Sequence, residues 1–272
     1  MGNYYWQQKV CLITGASSGL GYEIALALAD RGAHLVIVAR GKDRLESAAA
    51  KLRQRGAEVL AIAGDVAWQE DVDMIATEIQ DKFARLDLLC NCAGRSVRGE
   101  ILETSADDFQ QLLDVNFLSA VRTIQTLSPL LIKQRGHVVN IGSLASHVAP
   151  RFLAAYPASK FALAAYSQQL RLELTDRGLH VLLVCPGPIE QSEGPLGKLK
   201  FDNPDIPLEA RKPGGGARVS AIDPQWLARR ILAACQKGHV ELVIPRKARL
   251  LFVLSQISPR LGDWLLRKFT SG

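Results

Sequence analysis

Short apolar runs return along this chain at intervals long enough to hold a helix, and this recurrence limits the fold more than any other feature. The runs are Val10–Thr14, 35–39, 58–63, 86–90, 138–141, 179–185 and 240–244. Nearly continuous apolar runs, as opposed to alternating ones, belong to strands buried on both faces. Between them lie stretches with helical spacing: 43–55, Gln69–Phe83, 106–131, a helix begun near Tyr156 and continued over 161–176, and Pro224–Gln236. Strand and helix in strict alternation predict right-handed βαβ units around a parallel sheet, an α/β architecture. The 106–131 helix is expected to break near Pro129, and Asn116, polar beside Leu112, Leu113 and Val115, either bends it or is satisfied by a neighbouring backbone group. A chain of 272 residues can bury one large core or two small ones, and nothing here demands two.

The first strand runs into Gly15-Ala16-Ser17-Ser18-Gly19-Leu20-Gly21 and then an Ala/Leu-rich helix. A glycine turn there lets backbone N–H groups approach a phosphate at the helix N-terminus. Gly15 would relieve the turn, Gly19 would let a pyrophosphate approach, and Gly21 would allow close helix packing. The same glycines could also serve the turn alone. No Walker lysine follows, which removes the phosphate-gripping cation of a P-loop ATPase. The second strand ends at Arg40, with Lys42 close behind. In a dinucleotide-binding unit an acid at this position meets the ribose 2′-hydroxyl, whereas a cation accepts a 2′-phosphate, so Arg40 favours NADP over NAD. Otherwise Arg40 and Lys42 simply solvate a loop. Asp65, at the third strand's end, could take the adenine amino group, with Val66 against the ring.

A strand-to-helix segment then carries a hydroxyl at Ser143, a phenol at Tyr156 and an ammonium at Lys160. Tyr156 and Lys160, four apart, share a helix face. A phenol beside a permanent cation ionises below its usual value of about 10 and can exchange protons near neutrality. Against this, tyrosines near helix starts commonly pack, and lysines commonly snorkel to solvent. Arg151, Phe152 and His147 lie between Ser143 and Tyr156 as candidate rim residues, Arg151 for a carboxylate.

Composition excludes several functions. No run reaches the roughly 18 apolar residues of a membrane span, and the polar, aromatic start 1–10 does not resemble a cleaved signal peptide. Of the net charge of +6, the segment 246–272 carries +5, so the main body lacks the basic face of a nucleic-acid binder. The five cysteines, Cys11, Cys90, Cys92, Cys185 and Cys235, are irregularly spaced and point to a reducing cytoplasm. Cys90 and Cys92 are expected on opposite strand faces, against a zinc or redox pair, and no metal-ligand cluster is legible. The Pro/Gly-rich stretch 190–219 is the candidate substrate lid. The basic, apolar extension 246–272 could lie on an anionic membrane surface, cover the cleft or form a dimer interface.

Taken together, Thr14–Gly21, Asp65-Val66, Asn91-Cys92-Ala93-Gly94, Asn116, Ser143, Tyr156-Pro157-Ala158-Ser159-Lys160 and Pro186-Gly187 resemble the short-chain dehydrogenase/reductase family over about residues 7–245. The resemblance implies a doubly wound Rossmann fold with a central, mostly seven-stranded parallel sheet, in one NADP-binding catalytic domain spanning 1–245. It implies that Asn116, Ser143, Tyr156 and Lys160 are catalytic. It also implies that Gly15, Ser17, Ser18, Gly19, Leu20, Arg40, Asp65, Val66, Asn91, Ala93, Gly94, Tyr156, Lys160, Pro186, Gly187 and Ile189 bind NADP(H). No metal is implied. Cys92 replaces the family's second asparagine, and Gln191 stands where many relatives have threonine. The implied activity is reversible carbonyl reduction on a lipophilic small molecule, with Tyr156 as acid/base, in a homodimer or homotetramer. The alternative is a nucleotide-binding regulator or scaffold without turnover.

Overall fold

A computed structural model describes residues 4–190 and 220–270. The expected lid lies, apart from Glu190, outside the described residues, as does Gln191. Seven parallel strands, β1 Val10–Thr14, β2 His34–Ala39, β3 Val59–Ala63, β4 Leu88–Asn91, β5 His137–Ile141, β6 His180–Pro186 and β7 Glu241–Ile244, stand in the order β3-β2-β1-β4-β5-β6-β7. The doubly wound seven-stranded sheet is therefore as expected, with strand ends moved by a residue or two.

Alternate strand residues feed two cores. Cys11, Ile13, Leu35 and Ile37 pack against helices α1 Gly19–Ala29, α2 Lys42–Gln54 and the helix Pro224–Gln236 on one face. Val10, Leu12, Val36 and Val38 point the other way, toward α3 Gln69–Phe83, the helix Ser119–Lys133 and Leu170. Each fully buried Leu, Ile or Val contributes about 1.5–3 kcal/mol, which is why unbroken apolar runs were needed to cover both faces. The chain winds from β1 to one sheet edge, then returns to place β4 beside β1, so the strand order reverses between them. A crevice opens at the carboxyl ends of strands flanking such a switch.

Two expectations are corrected. The single helix 106–131 is instead α4 Ala106–Leu113, opened by a Ser105/Asp108 capping box, a π turn Asp114–Leu118 centred on Asn116, and α5 Ser119–Lys133. Pro129 lies inside α5 without breaking it, because Ser128 Oγ donates to Gln125 O at 3.1 Å, the carbonyl that the proline cannot serve. The break falls where the Asn116 side chain is held from outside the helix. Second, Cys90 and Cys92 do not diverge: their sulfurs lie 3.4 Å apart as free thiols, since residues two apart in an extended chain point to the same side. The remaining helices are α6 Tyr156–Leu174, α7 Pro224–Gln236, α8 Ala248–Ile257 and α9 Pro259–Thr270. No described helix is long and apolar enough to cross a membrane.

Candidate active site

The glycine turn is locked to the switch point before any ligand is considered. Thr14 Oγ1 accepts from the N–H groups of Cys92 (3.1 Å) and Ala93 (3.0 Å), tying the end of β1 to the turn after β4. Gly15, at φ +67°, comes so close to Ala93 that a Cβ would meet its backbone at 3.0 Å, and a Cβ on Gly21 would lie 2.6 Å from Gly15 O. These two glycines serve close packing. Gly19 differs: at φ +58° its Cβ position has nothing within 4 Å, and Ser18, at the N-cap of α1, makes no side-chain cap. The first N–H groups of α1 thus have no side-chain cap from Ser18, and uncapped N–H groups at a helix start suit a pyrophosphate.

Around this turn, Arg40 follows β2 with its side chain 75% exposed, its guanidinium 3.7 Å from the Asp65 carboxylate. A loosely paired, solvated cation costs little to redirect onto a phosphate. The other Asp65 oxygen accepts from Ala67 N–H (3.1 Å), and Val66 is buried. Asn91 turns its side chain inward, donating to Asn140 Oδ1 (2.9 Å) and accepting from Thr123 Oγ1 (2.9 Å), while Asn140 donates to Ser167 Oγ (2.9 Å). This buried chain of amides and hydroxyls pins β4 and β5 to α5 and α6. Gly187 N–H donates to Ile244 O (2.7 Å), and Ile189 forms a bridge with Ile222.

The four expected catalytic residues come together beside the switch. Ser143 lies two residues beyond β5 and opens a short 3-10 turn, its Oγ accepting from Ala145 N–H at 3.1 Å. Tyr156 begins α6, where Pro157 suits the first turn because no N–H is needed there. Lys160, one turn on, is 5% exposed; its Nζ donates to Ile141 O at 2.8 Å and lies 5.7 Å from the Tyr156 ring centre. Gly94 leaves room for both partners: a Cβ there would meet Asn116 Oδ1 at 3.1 Å and Lys160 Nζ at 3.8 Å.

The electrostatics correct the sequence picture. Burial raises the Tyr156 pKa above the ordinary phenol value, against the hydrogen bond from Ser143 and the nearby charge of Arg98, which lower it. Lys160 is no permanent cation, since burial brings its pKa down to about 8. The sign of its stability contribution follows. Between about pH 8 and the ordinary lysine value the unfolded chain holds a proton that the folded chain lacks, so this group makes stability rise with pH through that window. Lys160→Met is expected to flatten that rise by roughly 1–3 kcal/mol, read from urea melts of both proteins at pH 7.5 and 10. Parallel curves would show that the amine is not desolvated.

The Asn116 side chain makes three hydrogen bonds within the fold. Its Oδ1 accepts from Arg95 N–H (2.8 Å), and its Nδ2 donates to Arg95 O (2.9 Å) and Ser159 Oγ (3.0 Å). Ser159 in turn donates to Tyr156 O (2.8 Å). The π turn is thereby clamped to the loop after β4 and to α6.

Four positions escaped the sequence reading. Thr14 and Ser159 sit inside recognised motifs without an assigned task, and Asn140 was visible as the one polar residue in an apolar run. Arg98 gave no signal. It is 8% exposed, donating to Ser96 Oγ (2.7 Å) and Val97 O (3.2 Å), and the Gly99–Leu153 bridge joins its loop to the segment before Tyr156. Arg98, Thr104, Leu112, Ala154 and Ala155 line part of a cavity of about 370 Å³ between the loop after β4, α4 and the segment that leads into α6. Arg98→Leu is expected to move the alkaline rise of alcohol oxidation to higher pH, with Arg98→Lys intermediate, in a kcat/KM profile. An unmoved profile would remove Arg98 from the phenol's field.

Of the rim candidates, His147 bonds Glu241 Oε1 at 2.8 Å and stacks on Phe252, while Arg151 lies over Phe152. Folding also gathers His147, Cys185 and Glu241, far apart in sequence, so that their donor atoms lie within 4.8 Å of one another.

Comparison with known proteins bears on the fold that carries these residues. A family model described as short chain dehydrogenase matches residues 9–194. An uncharacterized oxidoreductase of Staphylococcus aureus is 32% identical over 203 residues, covering 73% of this chain and 87% of the relative. The crystal structure of a short-chain dehydrogenase from Streptomyces avermitilis superposes with TM-score 0.79 at 28% identity, covering 94% of this chain and 96% of that one. L-Sorbose reductase from Gluconobacter frateurii, solved with NADPH and L-sorbose, gives TM-score 0.78 at 27% identity, covering 89% and 97%.

Proposed function

The chain belongs to the short-chain dehydrogenase family, and from that premise we propose that it is an NADP(H)-dependent oxidoreductase interconverting a lipophilic carbonyl compound and its alcohol. What carries the reading is a buried Lys160 whose Nζ lies 5.7 Å from the Tyr156 ring centre, with Ser143 bearing on the same phenol, at the switch-point crevice. The residues present fit a dinucleotide: open space at Gly19, uncapped N–H groups on α1, and Arg40 at the end of β2 for a 2′-phosphate. The sorbose reductase, a structural relative, was solved with NADPH.

When bound, the nicotinamide supplies the hydride for reduction or receives it in oxidation. In the reductive direction Ser143 Oγ–H and the Tyr156 phenol both point their hydrogens at the substrate oxygen, and Tyr156 gives its proton there as negative charge develops. A raised phenol pKa keeps that proton in place at neutral pH, which favours the donor role. Lys160, with a pKa of about 8, can pass a proton toward the phenolate afterwards. Both Asn116 amide hydrogens are already given to Arg95 and Ser159, so Asn116 can hold a relay water only by accepting from it, at Oδ1 or its main-chain carbonyl. Oxidation of the alcohol reverses these transfers and needs the phenolate.

The test is a panel of ketones and aldehydes of graded size and polarity, each assayed with NADPH and NADH separately by nicotinamide absorbance. Turnover concentrated on apolar carbonyls with NADPH is the expected result. Tight cofactor binding with no turnover anywhere on a broad panel, unchanged in Tyr156→Phe, would replace the enzyme by a nucleotide-binding regulator.

A further inference from the structure

The C-terminal helix pair α8 and α9 has one face that the fold uses and one that it does not. Phe252 is buried with Val148, Leu183, Cys185 and Val243, and Ala248, Leu251 and Leu266 pack against the same cluster. The two helices meet closely, since a Cβ on Gly262 would fall 2.6 Å from Ser255 Oγ. Outside that cluster Leu250, Val253 and Ile257, at helical spacing along α8, are 66%, 54% and 75% exposed, and Leu261 and Trp264, one turn apart on α9, are 40% and 55% exposed. A surface helix normally turns such residues inward.

Charge selects what could cover this face. The segment 246–272 holds Arg246, Lys247, Arg249, Arg260, Arg267 and Lys268 against Asp263 alone, so +5 of the chain's +6 is concentrated here. Arg249 leans on Glu241 and Lys268 lies over the Trp264 ring, while Arg246, Lys247, Arg260 and Arg267 make no ion pair among the described residues. A second copy docking through this face about a two-fold axis would set +5 against +5. An anionic bilayer surface offers both halves of the match: interfacial burial for leucine, isoleucine and tryptophan, and headgroup charge for the cations.

We propose that exposed Leu250, Val253, Ile257, Leu261 and Trp264, bordered by the cations of 246–268, form a docking face for an anionic lipid surface, on which α8 and α9 lie without crossing. The face does not depend on the assigned reaction. It adjoins the candidate site, however, because Phe252 of α8 stacks on His147 at 4.6 Å, four residues beyond Ser143.

The full chain is to be co-sedimented with vesicles of phosphatidylcholine alone and with phosphatidylglycerol added, at low and high salt. Partitioning at least about tenfold stronger to the anionic vesicles, weakened by salt, is expected. Leu250→Glu/Ile257→Glu and Arg260→Gln/Arg267→Gln should each lower it by about tenfold or more. Circular dichroism melts check that both variants stay folded. Equal partitioning to the two vesicle types, or variants that bind as the wild type does, would overturn the proposal. So would light scattering in which the glutamate variant halves the particle mass of a wild-type protein that ignores vesicles, since the face would then belong to a second copy. Loss of carbonyl turnover in Tyr156→Phe with vesicle binding intact keeps the two readings separable.

Discussion

Tyr156→Phe is expected to lower kcat for carbonyl reduction by roughly 10²–10⁴-fold while leaving cofactor affinity nearly unchanged. The substitution removes one oxygen and its proton and keeps the ring, so the packing of α6 against β5 and β6 survives. What disappears is the phenol hydroxyl, the group beside Ser143 and Lys160 that can both give and regain a proton. A lost hydrogen bond costs stability only about 1 kcal/mol, far less than the expected rate loss. The pH profile adds a second check. Because burial holds the wild-type phenol above its ordinary pKa, reduction should persist across neutral pH, whereas oxidation should climb with pH as the phenol ionises. Tyr156→Phe should erase that climb. Single-turnover kinetics with preloaded cofactor measure the chemical step directly, and a variant as fast as wild type would leave this phenol without a role.

The second large effect is in cofactor choice. Arg40→Asp is expected to reduce kcat/KM with NADPH by about 10²-fold and to narrow or invert the preference over NADH. Two terms add. A charge-assisted contact worth about 1.5–3 kcal/mol is lost, and a carboxylate now stands where a 2′-phosphate would sit. Asp65, whose oxygen lies 3.7 Å from the Arg40 guanidinium, would no longer be partly neutralised and would add to the repulsion. The side chain is 75% exposed, so folding stability should barely change and the kinetic effect can be read cleanly. Equal NADPH and NADH kinetics in both proteins would show that the cation merely solvates the loop.

How far the molecule could be read from its residues differs from element to element. The seven strands were legible because Val10–Thr14 and its successors are apolar without interruption, and only a sheet covered on both sides needs that. Their ends moved by one or two residues, as at β4, where the terminal Asn91 is held by Asn140 and Thr123, partners 49 and 32 positions away. The helix around Asn116 was misread for a related reason. Its break is set by Arg95 and Ser159 across the fold, while the visible breaker, Pro129, is compensated locally by Ser128. Cys90 and Cys92 were assigned to opposite faces although their two-residue spacing already implied the same one.

The candidate site divides along the same line. Its chemical types, a serine, a tyrosine, a lysine and a glycine turn, were written in local motifs whose spacing needs no tertiary information. The order of strands and the crevice between β1 and β4 follow from alternation joined to right-handed crossovers. What the residues alone did not determine was electrostatic. Whether Lys160 is a permanent cation depends on how much water the fold removes from it, and the answer is a pKa of about 8. That Arg98 bears on the Tyr156 phenol depends on a bridge between Gly99 and Leu153 that brings two loops together. Local spacing records which groups a chain carries; desolvation and long-range contact, which exist only once the chain has folded, decide how those groups ionise and which of them meet.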